Sequence, residues 1–516
     1  MKQAFTLSLA LLFVVNGFSQ TKKKTTTTKP SVAKTEKTAK PPTKAVALIT
    51  NQEKSNDGGH HIALTLTPAK NQKAYLGCYY GKGKAIMDSC QLDDKCKGVF
   101  KGDKKLTGGI YFVVSQSYSI QFEMLVGDQQ NFSVVGDTIQ KDKFVITGSP
   151  DNDLFKKYSV KSSELGTEMT AIAANLKDAK DIADTLKIRK QIKAKNDDLT
   201  KLRDDIVTNN PNTLMAALLS AMKRPETPEI PVDAVTKKAD STFPYRFVKD
   251  HYWDDVVFAD ERLLRTPFFE PKIDEYFKYY VSPEADSIIP EIQYMLLSAR
   301  ESKEMYAYLL TKFTNKYLNP EYMGQDKVFV HLFTDYYLRG DTTLLDSKSK
   351  KTIIDRGYSM MLNQLGNIAP SLDLTDTTGK VISLYSIKSK FTFFAYWDPT
   401  CGHCRQELPV LDSIYRAKWK AMDVKVYSTI SKDDLLPELK KFIKEKNLSS
   451  DWYFTYETRA AKEATEKAGL PNFRQGYDLN KTPIFYLLDA DKRIIGKNLT
   501  IHQIDDLITK KSKQTK

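Results

Sequence analysis

Two cysteines separated by two residues are the strongest chemical signal in this 516-residue sequence. Cys401 and Cys404 follow the apolar run 391–397 after three residues, which predicts a buried strand, a short turn and a helix that begins at the first thiol. A helix N-terminus favours a thiolate, and a thiol three residues further along is close enough to form a disulfide with it. The spacing therefore predicts a redox-active dithiol, although such a pair is also half of a zinc ribbon.

The rest of the sequence does not supply the other half of a zinc site. Cys78, Cys90 and Cys96 lie far upstream and lack the paired spacing of zinc ligands. The sequence contains six histidines without a helical pair, and His60 and His61 are expected in a loop. We therefore expect neither a metal ion nor a bound cofactor.

The residues around and after the cysteines resemble one known superfamily. An amphipathic helix with Pro409 inside it follows the second thiol, and Lys481-Thr482-Pro483 opens another apolar strand. With the hairpin at residues 372–384, these features resemble the thioredoxin-like superfamily, in particular exported bacterial thiol–disulfide oxidoreductases of the TlpA and ResA type. The resemblance covers residues 366–516 and implies an α/β thioredoxin-like fold.

The resemblance also implies roles for individual residues. Cys401 would be the attacking thiol and Cys404 the resolving thiol, and the redox disulfide would join them. Glu407 would assist proton transfer, and Pro483 would form a cis bond beside the disulfide. The supporting positions that match the family's pattern are Trp397, Gly402, His403, Glu407, Thr482 and Pro483.

The direction of the reaction stays open at this point. The Gly402-His403 pair matches protein disulfide isomerases, and a histidine there would stabilise the Cys401 thiolate and make the disulfide easier to reduce. The surrounding sequence resembles reductases. Our main hypothesis is a reductase of protein disulfides, and the alternative is a disulfide oxidase or isomerase.

Two positions depart from related families. Ala395 stands where cytosolic thioredoxins carry a buried acid, so proton handling cannot be transferred from them. Asp398 stands three residues before the first cysteine, where peroxiredoxins need a threonine. Peroxidase activity is therefore not expected.

The first 57 residues indicate export. Residues 1–20 combine Lys2 with a short apolar run, which is typical of a secretory signal peptide and too short for a membrane span. Residues 21–57 are rich in Lys, Thr and Pro, which predicts a disordered linker. We expect a protein of the periplasm or cell envelope without a transmembrane segment in the mature chain.

The net charge of +14 comes in large part from the lysines of the predicted linker. Nucleic acid is not an expected partner for an exported protein. The linker is expected to act as a flexible tether, and attraction to an anionic envelope surface is the alternative.

The remaining sequence predicts three domains. Residues 58–155 show alternating apolar positions and frequent turn signals, which predict an antiparallel β-sandwich. Residues 156–364 predict helices, and residues 365–516 form the thioredoxin-like segment, which is expected to fold alone. The β segment resembles the amino-terminal β domain of Bacteroidetes envelope proteins. The stretch 251–267 resembles the helical middle domain of the same family, and docking contacts between domains are its expected role.

The upstream cysteines have simple expectations. Cys78 is expected to behave as a small buried hydrophobic residue. Cys90 and Cys96 flank a predicted turn at residues 93–95 and could pair across it in an oxidising compartment.

Taken together, the sequence predicts an exported thiol–disulfide oxidoreductase. Its partners would be client proteins with disulfides and an unidentified membrane electron donor, and the upstream domains would select or position the client. The rival hypothesis is a non-catalytic binding or scaffold protein with an incidental redox domain, because the residues before 365 carry no visible chemistry.

Overall fold

The computed structural model describes residues 58–140, 143–232 and 236–514. The predicted signal peptide and linker, residues 1–57, lie outside the described residues. The chain divides into two compact units, Met1–Tyr280 and Val281–Lys516. The division lies inside the predicted helical segment 156–364, so each unit contains some of its helices.

The first unit begins with strands that form two four-stranded sheets within the described residues, in the orders β4-β1-β7-β8 and β3-β2-β5-β6. One apolar cluster contains residues of both sheets, including Leu64 and Leu76. The prediction of a sheet-rich N-terminal region is confirmed, and the sandwich arrangement stays a prediction. The strands are β1 (His60–Thr67), β2 (Lys73–Tyr80), β3 (Gly83–Gln91), β4 (Lys97–Gly102), β5 (Gly109–Val114), β6 (Ile120–Val126), β7 (Asn131–Asp137) and β8 (Val145–Thr147).

One strand pair corrects the sequence prediction of an antiparallel fold. β1 and β7 pair in parallel, with Ile62 opposite Phe132 and Leu64 opposite Val134. The other pairs of these two sheets are antiparallel. Turn signals identify hairpins between consecutive strands, but they do not show how strands far apart in the chain pair, and this limit explains the error.

The upstream cysteines lie in the interior of this β region. Cys78, Cys90 and Cys96 are all buried. Cys90 and Cys96 are present as separate thiols, and burial raises the pKa of Cys90 to about 11. In the structure, both therefore behave as small apolar side chains, and a disulfide between them stays a prediction.

Helices complete the first unit, and a short 3-10 segment connects them to the strands. In this segment, Leu264 accepts a hydrogen bond from the backbone N–H of Gly81, and the Arg265 guanidinium lies 5.6 Å from the centre of the Tyr80 ring. The stretch 251–267 thus makes docking contacts with the β region. The helices are α1 (Pro150–Ala174), α2 (Ile182–Asn209), α3 (Leu214–Met222), α4 (Phe243–Asp250) and α5 (Phe269–Tyr279).

The second unit opens with four helices that precede its sheet. They are α6 (Ala285–Ser298), α7 (Lys303–Leu318), α8 (Asp326–Asp335) and α9 (Ser347–Leu362). The prediction of a helical middle region is confirmed.

A seven-stranded mixed sheet, in the order β10-β9-β13-β12-β11-β14-β15, follows these helices. The central strand β11 is buried at every residue, because apolar clusters cover both faces of the sheet. The strands are β9 (Asp373–Asp376), β10 (Val381–Ser383), β11 (Phe391–Trp397), β12 (Val424–Ile430), β13 (Tyr453–Tyr456), β14 (Ile484–Leu488) and β15 (Ile494–Lys497). The helices are α10 (Gly402–Ala417), α11 (Leu436–Lys446), α12 (Arg459–Lys467), α13 (Phe473–Gly476) and α14 (Ile501–Gln514). This α/β arrangement confirms the predicted thioredoxin-like fold.

A buried ion pair joins the helices of the second unit to its sheet. Lys497 at the end of β15 lies 2.5 Å from the Asp326 carboxylate at the start of α8, and both side chains are at most 3% exposed. The Lys497 ammonium also donates to the backbone and side-chain oxygens of Asn363, each at 2.7 Å. A fragment that begins at residue 366 lacks Asp326 and Asn363, so this contact argues against its independent stability.

Within the described residues, no helix combines the length and the apolar composition that a membrane span needs.

Candidate active site

The two cysteines lie where β11 ends and α10 begins. Cys401 is the N-cap residue of α10, and Cys404 lies in the first turn of the helix. The Cys401 side chain is partly exposed, whereas Cys404 is fully buried. Both are present as thiols. The strand, turn and helix expected around these residues are present, and they place only the first thiol at the surface.

The environment of Cys401 favours its thiolate. A hydrogen bond from the backbone N–H of Cys404 is the largest influence, and it lowers the pKa of Cys401 below the ordinary value despite partial burial. The Cys404 thiol, Thr482 and the backbone N–H of His403 act in the same direction. At neutral pH, Cys401 is therefore more reactive as a nucleophile than an ordinary cysteine.

Cys404 has the opposite environment. Burial raises the pKa of its thiol to about 12, and the nearby Cys401 sulfur acts in the same direction. The backbone N–H of Asp398 donates to the Cys404 Sγ at 3.5 Å. At neutral pH, Cys404 remains protonated until a reaction step requires its thiolate.

The Thr482–Pro483 loop borders the exposed thiol. The peptide bond between these residues is cis. The Cys401 Sγ donates to the Thr482 carbonyl oxygen at 4.0 Å. The loop precedes β14, the strand antiparallel to β11, so the sheet itself brings the loop to the cysteines.

Trp397 is the last residue of β11, just before the active-site turn. Its side chain is fully buried, and its indole N–H donates to the Ser428 hydroxyl at 2.7 Å. Its ring centre lies 5.4 Å from that of Phe442. Trp397 therefore anchors the end of β11 against β12 and α11.

His403 and Glu407 do not contact the sulfurs through their side chains. Gly402 and His403 are exposed, and Glu407 is partly exposed. Among the described residues, no hydrogen bond joins the His403 imidazole or the Glu407 carboxylate to either thiol. The roles predicted for these two side chains stay predictions.

Asp398 is a further residue of the site, and the sequence indicated only that it replaces the threonine of peroxiredoxins. One oxygen of its carboxylate accepts from the backbone N–H of Thr400 at 2.7 Å and from the Thr400 hydroxyl at 2.6 Å. The other oxygen accepts from the Ser431 hydroxyl at 2.9 Å. Partial burial opposes ionisation, yet these hydrogen bonds hold the pKa of Asp398 below its usual range. The Asp-x-Thr spacing signals the local turn, but Ser431 is too distant in sequence to be recognised.

A further ion pair lies behind Ser431. Arg474 in α13 donates to the Ser431 carbonyl oxygen at 2.8 Å and pairs with the Glu457 carboxylate at 2.5 Å. The Glu457 side chain is nearly buried. These contacts fix the backbone after β12 next to the active-site turn.

No group of three or more His, Cys, Asp or Glu side chains within the described residues could hold a metal ion. The chemistry visible at this site is that of the two thiols.

Comparison with known families gives two matches along the chain. Residues 365–495 match the AhpC/TSA family, and residues 187–361 match a domain of unknown function (DUF5106). The second match contains residues of both compact units.

Parts of the chain also resemble individual proteins. The thiol–disulfide oxidoreductase ResA of Bacillus cereus is 27% identical over 134 residues, which are 26% of this chain and 69% of that protein. A thioredoxin-like protein from Bacteroides caccae is 21% identical, with 55% of this chain and 99% of that one covered and a TM-score of 0.42. A domain of a possible thiol-disulfide isomerase from Cytophaga hutchinsonii is 34% identical, with 30% and 97% covered and a TM-score of 0.25.

The fold of the second unit and the two cysteines at its central strand define a thioredoxin-like domain. Together with the AhpC/TSA match and the similarity to ResA, this domain supports a thioredoxin-like oxidoreductase of the TlpA/ResA type.

Proposed function

We propose that this protein reduces disulfides in client proteins of the cell envelope through Cys401 and Cys404. The observation that carries the proposal is the opposite environment of the two thiols. Cys401 is partly exposed and its pKa is lowered, whereas Cys404 is buried and its pKa is raised to about 12. Only one thiol is therefore accessible to a client, and it is the one whose thiolate is favoured.

In the first step, the Cys401 thiolate attacks one sulfur of the client disulfide. A bond forms between that sulfur and Cys401, and the other client sulfur leaves as a thiolate that takes a proton from solvent. The Thr482 carbonyl borders the Cys401 sulfur, so the client backbone would lie along this loop.

In the second step, Cys404 loses its proton and attacks the Cys401 sulfur. The disulfide Cys401–Cys404 forms, and the second client sulfur leaves with a proton as a thiol. The client gains two electrons in total, and the cysteine pair loses two. A membrane electron donor would return the pair to the dithiol.

The alternative direction is oxidation or isomerisation of client disulfides. The lowered pKa of Cys401 supports it, since a stabilised thiolate makes a disulfide more oxidising. The resemblance of the sequence around the cysteines to reductases supports the reducing direction. The reduction potential of the pair distinguishes the two directions.

The signal-like residues 1–20 support export to the periplasm or cell envelope. We assign client selection to the first unit, because the proposed exchange needs only residues of the second unit. The predicted division into residues 58–155, 156–364 and 365–516 remains part of this proposal.

The proposed function is tested by insulin reduction with the full chain and dithiothreitol as the electron source. The wild-type chain should accelerate precipitation of the insulin B chain, and Cys401→Ser should reduce the rate to that of dithiothreitol alone. Cys90→Ser is the control, because it removes a buried thiol from the first unit. Full activity in Cys401→Ser would refute the assignment of the nucleophile.

A further inference from the structure

We propose that the Asp398 carboxylate and Ser431 are positioning residues for the second step, in which Cys404 resolves the mixed disulfide. They would act by fixing the backbone N–H of Asp398 towards the Cys404 sulfur. This inference rests on the proposed function and concerns residues outside the Cys-x-x-Cys motif.

The backbone of Asp398 contacts both cysteines. Its N–H donates to the Cys404 Sγ at 3.5 Å, and its carbonyl oxygen accepts from the backbone N–H of Cys401 at 3.1 Å. A small rotation of this peptide segment would change both contacts. The orientation of Asp398 therefore bears directly on the sulfur that must become a thiolate.

The side chain of Asp398 holds this orientation from two sides. Thr400 donates twice to one carboxylate oxygen, which closes the turn locally. Ser431 donates to the other oxygen from the end of the neighbouring strand β12. The Ser431 backbone N–H also donates to the Trp397 carbonyl oxygen at 2.9 Å, so Ser431 is itself fixed to the end of β11.

The Arg474 contact fixes Ser431 from its other side. The guanidinium donates to the Ser431 carbonyl oxygen and pairs with the nearly buried Glu457. Ser431 is thus held through its hydroxyl, its N–H and its carbonyl oxygen. Such a residue can position a neighbouring turn without contacting either sulfur.

The resolving step needs this N–H donor because the Cys404 thiol does not ionise readily. Burial raises its pKa to about 12, and Ala395 occupies the position in β11 where a buried acid would act in thioredoxins. Among the described residues, no carboxylate is hydrogen-bonded to the Cys404 sulfur. A fixed N–H donor that faces the developing negative charge lowers the barrier because it needs no reorganisation during the step.

The experiment is a single turnover of the reduced full chain with 5,5′-dithiobis(2-nitrobenzoate) in stopped flow. Attack by Cys401 releases the first thionitrobenzoate, and resolution by Cys404 releases the second. Ser431→Ala should leave the first phase unchanged and slow the second by about three- to ten-fold, the effect of losing one hydrogen bond. The pH profile of Cys401 alkylation should also stay unchanged.

Two variants of Asp398 test whether its hydrogen bonds or its charge matter, and a third variant controls for general effects of substitution. Asp398→Ala should slow the second phase at least as much as Ser431→Ala, and Asp398→Asn should recover most of the loss, because an amide can still bond to Thr400 and Ser431. Ser386→Ala is the matched control, since this exposed serine donates to the Ser383 carbonyl oxygen in the same unit.

The outcomes distinguish this inference from the proposed function. Equal second phases in Ser431→Ala and wild type would overturn the positioning role and leave the proposed function standing. Equal slowing of both phases would also overturn it, because this pattern indicates general damage to the site. If wild type shows no first phase that depends on Cys401, the proposed function fails and the inference fails with it.

Discussion

Replacing Asp326 by Ala removes the carboxylate that faces the buried Lys497 ammonium in the second unit. Breaking a buried pair by deleting one partner costs about 3–5 kcal/mol, because the remaining charge is left without compensation. The side chains of Lys497 and Asp326 are 3% and 2% exposed, so solvent screens this pair very little. We expect Asp326→Ala to lower the free energy of unfolding of the second unit by an amount in that range.

The ion pair of Lys327, the residue next to Asp326 in α8, provides a matched control. Lys327 forms an ion pair with Asp286 at 2.6 Å, but these side chains are 55% and 78% exposed. Removal of an exposed partner costs at most about 1 kcal/mol. Asp286→Ala, in α6, should therefore lower the free energy of unfolding only slightly in the same assay.

The assay is urea denaturation of the full chain, followed by labelling of Cys404. This thiol is fully buried in the second unit, so its labelling reports the opening of that unit alone. The double variant Asp326→Leu with Lys497→Met should recover much of the loss, because an apolar pair replaces a buried ion pair at little cost. If Asp326→Ala lowers the free energy of unfolding no more than Asp286→Ala does, the reasoning is refuted.

The pH dependence of the same variant has a definite sign. Burial lowers the pKa of Lys497 even in the wild type, and loss of Asp326 would lower it further. Between the folded-state pKa and the unfolded value of about 10.4, the unfolded state binds more protons, so stability rises with pH. The difference in free energy of unfolding between wild type and Asp326→Ala should therefore become smaller as the pH rises through this range.

Three other predictions concern the redox site and the extent of its unit. Alkylation of Cys401 should follow a pH midpoint below that of an ordinary cysteine, while Cys404 stays unreactive in the folded dithiol. Site-resolved mass spectrometry of the alkylated peptides measures both, and equal reactivity of the two thiols would contradict the assigned environments. His403→Pro should raise the pH midpoint of Cys401 alkylation and make the Cys401–Cys404 couple more reducing, because proline removes a backbone N–H that favours the thiolate. His403→Ala should have a smaller effect in the same titrations. A fragment of residues 281–516 should unfold at higher urea than one of residues 366–516, and the opposite order would show that the ion pair is dispensable.

The sequence was informative wherever the site is built from neighbouring residues. The apolar run before Cys401, the turn and the helix after it all lie within residues 391–417. The structure forms this strand, turn and helix as predicted. The thioredoxin-like fold was expected from the resemblance of residues 366–516 to that superfamily. The helical character of residues 156–364 was also predicted, because apolar periodicity is a local property.

The remaining features depend on contacts between residues far apart in the chain. Ser431 follows β12 and donates to Asp398, which follows the adjacent strand β11. Lys497 contacts Asp326, which lies 171 residues earlier in the chain. The parallel pairing of β1 with β7 is of the same kind. Spacing patterns report one element at a time and do not show which elements become neighbours, so these contacts appear only in three dimensions.

The central claim is that Cys401 attacks the client and Cys404 resolves the mixed disulfide. It is tested most directly by incubating reduced Cys404→Ser with a peptide disulfide and mapping the adduct by mass spectrometry. The account predicts a stable peptide adduct on Cys401 in this variant and only a transient adduct in the wild type. A stable adduct on one of the upstream cysteines, or no adduct at all, would contradict it.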